Sequence, residues 1–147
     1  MANGAKVTSD WSSAYEVDFT AGGGKGSRPI VTSYSSSPPF TIPEGETKPT
    51  TRALLDTCFR QVEYAAVLKG AMNPEGMQKF IEFMLGREFQ AALPDNMYVY
   101  PVDATVALPD AWATYAKAAP KPHAVDPGEI TANRTEWLRK WRDITSQ

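Results

Sequence analysis

The clearest two-residue alternation in the chain runs through FRQVEYAAVLKGA. Val62, Tyr64, Ala66 and Leu68 fall on one face there, and Gln61, Glu63, Ala65 and Val67 on the other, which predicts a β-strand. Two further short strands are expected at Ile30–Tyr34 and in NMYVYPV, where Pro101 stands near the end. Elsewhere the period is helical. In SDWSSAYEVDF, residues Trp11, Ala14, Tyr15 and Asp18 follow i, i+3, i+4, i+7 spacing behind Ser9 or Asp10 as the cap. Asn73-Pro74 is an N-cap followed by proline at the first helical position, and Met77, Phe80, Ile81, Met84 and Leu85 then share a face until Gly86 interrupts them before a further turn at REFQAAL. LPDAWATYAKAA predicts a short helix. The last helix opens on Asp126-Pro127-Gly128-Glu129 and places Ile130, Trp137, Leu138, Trp141 and Ile144 on one stripe.

Strands alternating with helices point to an α/β chain with a short mixed sheet flanked by helices. AGGGKGSRP reads as a flexible turn, and the proline-rich stretch from Pro38 to Pro49 as a surface loop, because proline cannot continue a ladder. No internal repeat is visible. The stripes on the Phe80 and Trp137 helices need a covering partner, since exposed they form large apolar patches. That requirement points to self-association or to a further portion of chain.

Composition narrows the function more than the fold. A chain of 147 residues is long enough for one domain with a real core, burying about 70% of its extended surface, yet short enough to be a piece of a longer protein. Hydrophobic residues make up 42% and charged ones 22%, with a net charge of −2, which argues against disorder and against a nucleic-acid-binding surface. The single cysteine, Cys58, excludes an internal disulfide and a multi-cysteine metal site, and the single histidine, His123, sits among prolines. Neither a metal centre nor a Ser-His-Asp triad is expected. The first 20 residues carry no basic segment followed by an apolar one, and no run of 18 apolar residues occurs. The abrupt polar opening at Met1 fits a truncated or redesigned sequence.

Four stretches together, DWSSAYEVDF, VTSYSSSPPF, QVEYAAVLKGAMNPEGMQKFIEFMLGREFQAALPDNMYVYPV and PGEITANRTEWLRKWRD, resemble the C-terminal half of the bacterial thiamine-binding proteins of ABC transporters. These are type II periplasmic binding proteins. The resemblance runs from about Lys6 to Ile144, and its most specific parts are the W-S-x-A-Y helix, the S-Y-S-x-S-P strand exit and the Y-P-V strand. It implies a two-lobed α/β parent roughly twice as long, exported by a signal peptide and acting in the periplasm or at the extracellular face of the envelope with a transporter permease. Residues 1–147 would be the C-terminal half and contribute to both lobes, crossing near Gln61–Leu68 and again near Tyr98–Val102.

Thiamine is a cation with two aromatic rings, often phosphorylated. A site for thiamine, thiamine monophosphate or thiamine diphosphate needs aromatic faces and hydroxyl or N–H donors, and a desolvated cation–π contact is worth up to about 2 kcal/mol. The resemblance assigns ligand contacts to Trp11 and Tyr15 on the first helix, to Tyr34, Ser35, Ser37 and Phe40 at the strand exit, and to Tyr98, which stands where the family places a tryptophan. Phe40 stands where a relative has tyrosine. Each residue also has a plainer reading: Trp11 and Tyr15 as one core stripe, the serines as a solvated turn, Tyr98 and Tyr100 as strand packing. Trp137 and Trp141 read as core, and Glu63 as a partly exposed strand charge.

The leading expectation is therefore a solute-binding component of an importer, with no catalytic residues and no cofactor beyond the ligand. A thiamine-processing enzyme lacks support, because no nucleophile–base pair is visible and GGGKG does not match GxxxxGK[ST]. Two alternatives remain. One is a binding protein for iron or another small solute, disfavoured because Tyr34 is followed by serines instead of a second tyrosine. The other is an engineered single half that binds nothing.

Overall fold

The computed structural model describes residues 2–21 and 25–146. They form two compact units, one spanning Tyr34–Pro120 and the other joining Met1–Ser33 to Lys121–Gln147.

The Tyr34–Pro120 unit contains three helices, α1 (Pro74–Leu85), α2 (Arg87–Met97) and α3 (Asp110–Tyr115), with 3-10 turns at Pro38–Thr41 and Leu55–Thr57. As the sequence predicts, Asn73 caps α1, its side-chain oxygen accepting from the Gly76 N–H at 2.9 Å. Gly86 adopts extended backbone and separates α1 from α2, which pack on each other. Phe83 and Phe89 meet edge-on across the break with ring centroids 5.5 Å apart. Pro94 lies inside α2 and is fully buried; its missing N–H withdraws the usual donor from the carbonyl of Gln90, one turn earlier. Around Trp112, Val106, Ala116 and Ala119 a small core forms, closed on one side by packing of α3 on the Pro38–Thr41 turn.

In the other unit a short helical segment begins at Trp11 and widens into a π-helix over Ser13–Asp18, its wider ring closed by Phe19 N–H donating to Ala14 at 3.0 Å. Asp10 supplies the cap, accepting from the Ser13 N–H at 2.8 Å and the Ser13 hydroxyl at 3.0 Å. Phe19 and Arg28 then form an isolated parallel bridge, with Arg28 N–H donating to Asp18 and Thr20 N–H to Arg28, each at 3.0 Å. Gly26 permits this return, because a Cβ there would overlap the Asp18 carbonyl. Of the predicted glycine-rich turn, Gly22–Gly24 lie outside the described residues. The final helix, α4 (Pro127–Thr145), starts where expected, with Asp126 accepting from Gly128 and Glu129 N–H groups at 2.8 and 3.2 Å.

The expected α/β fold with a mixed sheet is not formed. Among the described residues no ladder of paired strands occurs, and Ile30–Tyr34, Gln61–Leu68 and Val99–Val102 lie outside any regular strand. Asn96 and Met97, read as strand, end α2 instead. Alternation assigns side chains to two faces, but a strand also needs a neighbour for its N–H and C=O groups. Here the apolar face of the best candidate is open to solvent, with Val62, Tyr64 and Leu68 all exposed. Among the described residues the predicted apolar stripes have the expected spacing but stay largely uncovered. Neither α1 nor α4 has a buried residue, and Phe80, Trp137, Leu138 and Trp141 are exposed.

Candidate functional site

The proposed ligand contacts divide between the two units, Trp11 and Tyr15 in one, and Tyr34, Ser35, Ser37, Phe40 and Tyr98 in the other. In the first, four-residue spacing on the opening helix puts Tyr15 directly over Trp11, and the rings stack with centroids 4.6 Å apart and planes 13° from parallel. Trp11 donates its indole N–H to the Ser33 hydroxyl at 3.1 Å, and Tyr15 leans on the buried Phe19 ring at 5.4 Å. The stack leaves no gap for a third ring between its members, so a flat cation meets it on an outer face. Trp11 is exposed and offers such a face.

Asp10 holds the start of this helix, and hydrogen bonds from Ser9, from the Ser13 N–H and from the Ser13 hydroxyl keep its carboxyl below the ordinary carboxylate pKa. A lowered folded-state pKa means that the stabilisation is complete above the unfolded value and is lost as pH falls through the folded one. Acidification below the ordinary carboxylate range is expected to fray the Trp11–Tyr15 turn. The check is the NMR signal of the Trp11 indole N–H, which should broaden in acid in the native chain and already at neutral pH in Asp10→Ala.

In the second unit the strand exit is a turn. Ser37 N–H donates to the Tyr34 carbonyl and Phe40 N–H to the Ser37 carbonyl, both at 3.1 Å, and Pro38 and Pro39 then fit the first turn of the 3-10 helix, where no donor is required. The serines have separate tasks. Ser35 hydrogen-bonds the Tyr100 hydroxyl at 3.2 Å, while Ser36, 2% exposed, donates to the Tyr98 carbonyl at 2.8 Å. Burial raises the Tyr100 pKa, partly offset by the bond to Ser35, with Cys58 adding to the rise, so the phenol stays neutral at physiological pH.

Tyr98 closes α2 in the left-handed conformation, at φ 59° and ψ 25°. Glycine or asparagine is usual at such a position, and a bulky residue there costs about 1–2 kcal/mol. Its ring meets Phe40 edge-on at 4.8 Å. Phe40 in turn stands perpendicular to Trp112 at 5.9 Å, and Tyr100 meets Trp112 at 5.5 Å. Phe40 thus rests on a buried indole and Tyr98 rests on Phe40, while both keep an exposed outer surface, and Tyr34 is exposed beside the same turn.

Three contributors escape sequence reasoning. Ser36 looks like its neighbours, and only burial distinguishes it. Trp112 carries no pattern that separates it from the other tryptophans. Gln90, 4% exposed, donates to the Met84 carbonyl at 2.7 Å and accepts from the Val102 N–H at 2.8 Å, tying the α1–α2 junction to the segment that carries Tyr98 and Tyr100.

No protein-family model matches the chain, and no solved structure matches it significantly. Curated relatives do. Over 142 residues it is 34% identical to thiamine-binding periplasmic proteins of Escherichia coli K12 and Salmonella typhimurium, and over 147 aligned positions 35% identical to that of Brucella melitensis. These alignments take in 96% of this chain and 41% of each relative, so the chain spans about two fifths of the length of the proteins it matches. Over nearly all of its own length the chain is thus homologous to part of the thiamine-binding periplasmic proteins.

Proposed function

We propose that the chain is the C-terminal portion of a solute-binding component of an ABC importer, and that it contributes aromatic and hydroxyl groups to a site for thiamine or its mono- or diphosphate. The observation that carries this reading is its 34–35% identity, across 96% of its length, to proteins named for thiamine binding in the periplasm. The geometry supports it through two exposed aromatic platforms, Trp11 on Tyr15 and Tyr98 on Phe40. A thiazolium resting on such a face gains cation–π attraction, and no bond in the ligand has to be made or broken. Delivery to a membrane permease from the periplasmic side belongs to the same reading, and the remaining three fifths of the relatives' length would supply the opposing wall.

An aromatic platform open to solvent leaves the ligand in contact with water, which screens the cation–π and hydrogen-bond attractions that an enclosed site strengthens. Titration calorimetry of the chain with thiamine and with thiamine monophosphate is expected to show affinity in the micromolar range or weaker. Trp11→Ala and Tyr34→Ala together should lower it by a further factor of about ten, the equivalent of about 1.4 kcal/mol. Weak binding untouched by both substitutions would assign these rings to packing, and no binding of either compound at millimolar concentration would remove thiamine as the ligand of this chain.

A further inference from the structure

Resting on the thiamine reading, we propose that Ser36 is a positioning residue of the ligand site: its buried hydroxyl fixes the left-handed turn at Tyr98 and thereby aims the Tyr98 ring at Phe40. Ser36 is too deeply buried to meet a ligand itself. Its hydroxyl points instead to a main-chain carbonyl, that of Tyr98, 2.8 Å away and 62 residues along the chain. That carbonyl belongs to a residue whose backbone, at φ 59°, is one a tyrosine avoids unless something outside the local chain holds it. Rotation about φ and ψ of Tyr98 into the right-handed region would redirect both the carbonyl and the ring, so the bond to Ser36 and the edge-on contact with Phe40 form or break together.

Neighbouring groups reinforce the clasp. Ser35 holds the Tyr100 hydroxyl two residues beyond Tyr98, and the Ser37 carbonyl receives the N–H of Phe40. One serine triplet therefore grips both partners of the aromatic platform. The hydroxyl-rich stretch acts mainly on protein groups, which leaves ring placement, and not phosphate binding, as the task of Ser36.

The test compares the native chain with Ser36→Ala and Ser36→Cys. Tyr98 is followed by the NMR backbone shifts and couplings that report positive φ, and affinity by titration with thiamine and, separately, thiamine monophosphate. Ser36→Ala is expected to lose the positive-φ signature and to weaken both ligands by the same factor, about tenfold, measured per folded molecule. Ser36→Cys, similar in size with a weaker donor, should shift both readouts less and in the same direction; it decides the matter should the alanine variant fail to fold. Retention of the positive-φ signature in the variants overturns the proposal. A loss confined to the monophosphate also overturns it, by making Ser36 a phosphate contact. If the native chain binds neither compound while the signature still depends on Ser36, the clasp stands and the thiamine reading fails.

Discussion

Trp112→Ala is expected to cost the Tyr34–Pro120 unit about 3–5 kcal/mol, enough to remove most of the stability of a small domain. Trp112 is 1% exposed, the most deeply buried large aromatic among the described residues, and both Phe40 and Tyr100 pack edge-on against it. The indole supports Phe40, on which Tyr98 rests, so its loss opens a cavity beside Phe40 and Tyr100. Helix α3 is short, at 6 residues, and Trp112 is the residue it buries, so its loss removes most of what holds the helix in place. Denaturant unfolding followed by far-UV circular dichroism should show the midpoint falling sharply. Trp112→Phe should fall much less: its ring keeps most of the contacts and removes an indole N–H that is buried without a hydrogen-bond partner. Equal losses for the two variants would mean that volume is not what Trp112 contributes.

Gln90→Leu is expected to be the second most damaging change, at about 2–4 kcal/mol. One buried amide serves two partly buried backbone groups, the Met84 carbonyl and the Val102 N–H, and a leucine of similar size leaves both without this partner, at about 1–2 kcal/mol each, the lower part of the range for unsatisfied groups because solvent lies close by. Gln90→Glu separates the two bonds. A carboxylate still accepts from Val102 but faces the Met84 carbonyl with an oxygen that cannot donate, so the carboxyl prefers to keep its proton in the folded state. Its folded-state pKa is then raised, and the stability it contributes is present below the unfolded carboxylate value and lost as pH rises through the folded one. The variant should approach native stability in mild acid and fall toward Gln90→Leu at neutral pH. Hydrogen exchange at the Val102 amide reads the same bond directly: protected in the native chain, fast in Gln90→Leu. A protected Val102 amide in Gln90→Leu would show that the side chain does not hold this segment.

Local signals in the sequence translated well where the structure they specify is also local. Asn73 ahead of Pro74 and Asp126 ahead of Pro127 mark two helix starts, and both side chains accept the backbone N–H groups that a cap should; of Ser9 and Asp10, the two caps read for the first helix, Asp10 is the one that accepts. Gly86 ends α1 as read. Trp11 and Tyr15 share a helix face, as their four-residue spacing predicts, and their rings meet there. Each of these outcomes depends on atoms within a turn of one another, which is why residue order suffices to specify them.

The sheet failed as a prediction because pairing is not local. Val62, Tyr64 and Leu68 alternate as a strand should, yet no neighbouring strand among the described residues takes up that segment, and its apolar side chains stay exposed. The apolar stripe of α4 shows the same limit, with correct spacing and a correct cap but no residue buried. In NMYVYPV the alternating pattern lost to a helix that continues through Met97 and stops on a left-handed Tyr98, a conformation that costs free energy locally and persists through a bond from Ser36.

By itself, the sequence determined the helix starts and the resemblance to thiamine-binding proteins, both of which reside in residue type and short spacing. Only the tertiary structure decided which serine is buried, that Gln90 bridges α2 to Val102, and that Trp112 underlies Phe40 and Tyr100. Those facts depend on contacts between residues 12 to 72 positions apart, whose free energy comes from burial and from satisfying distant backbone groups, and no period along the chain encodes that.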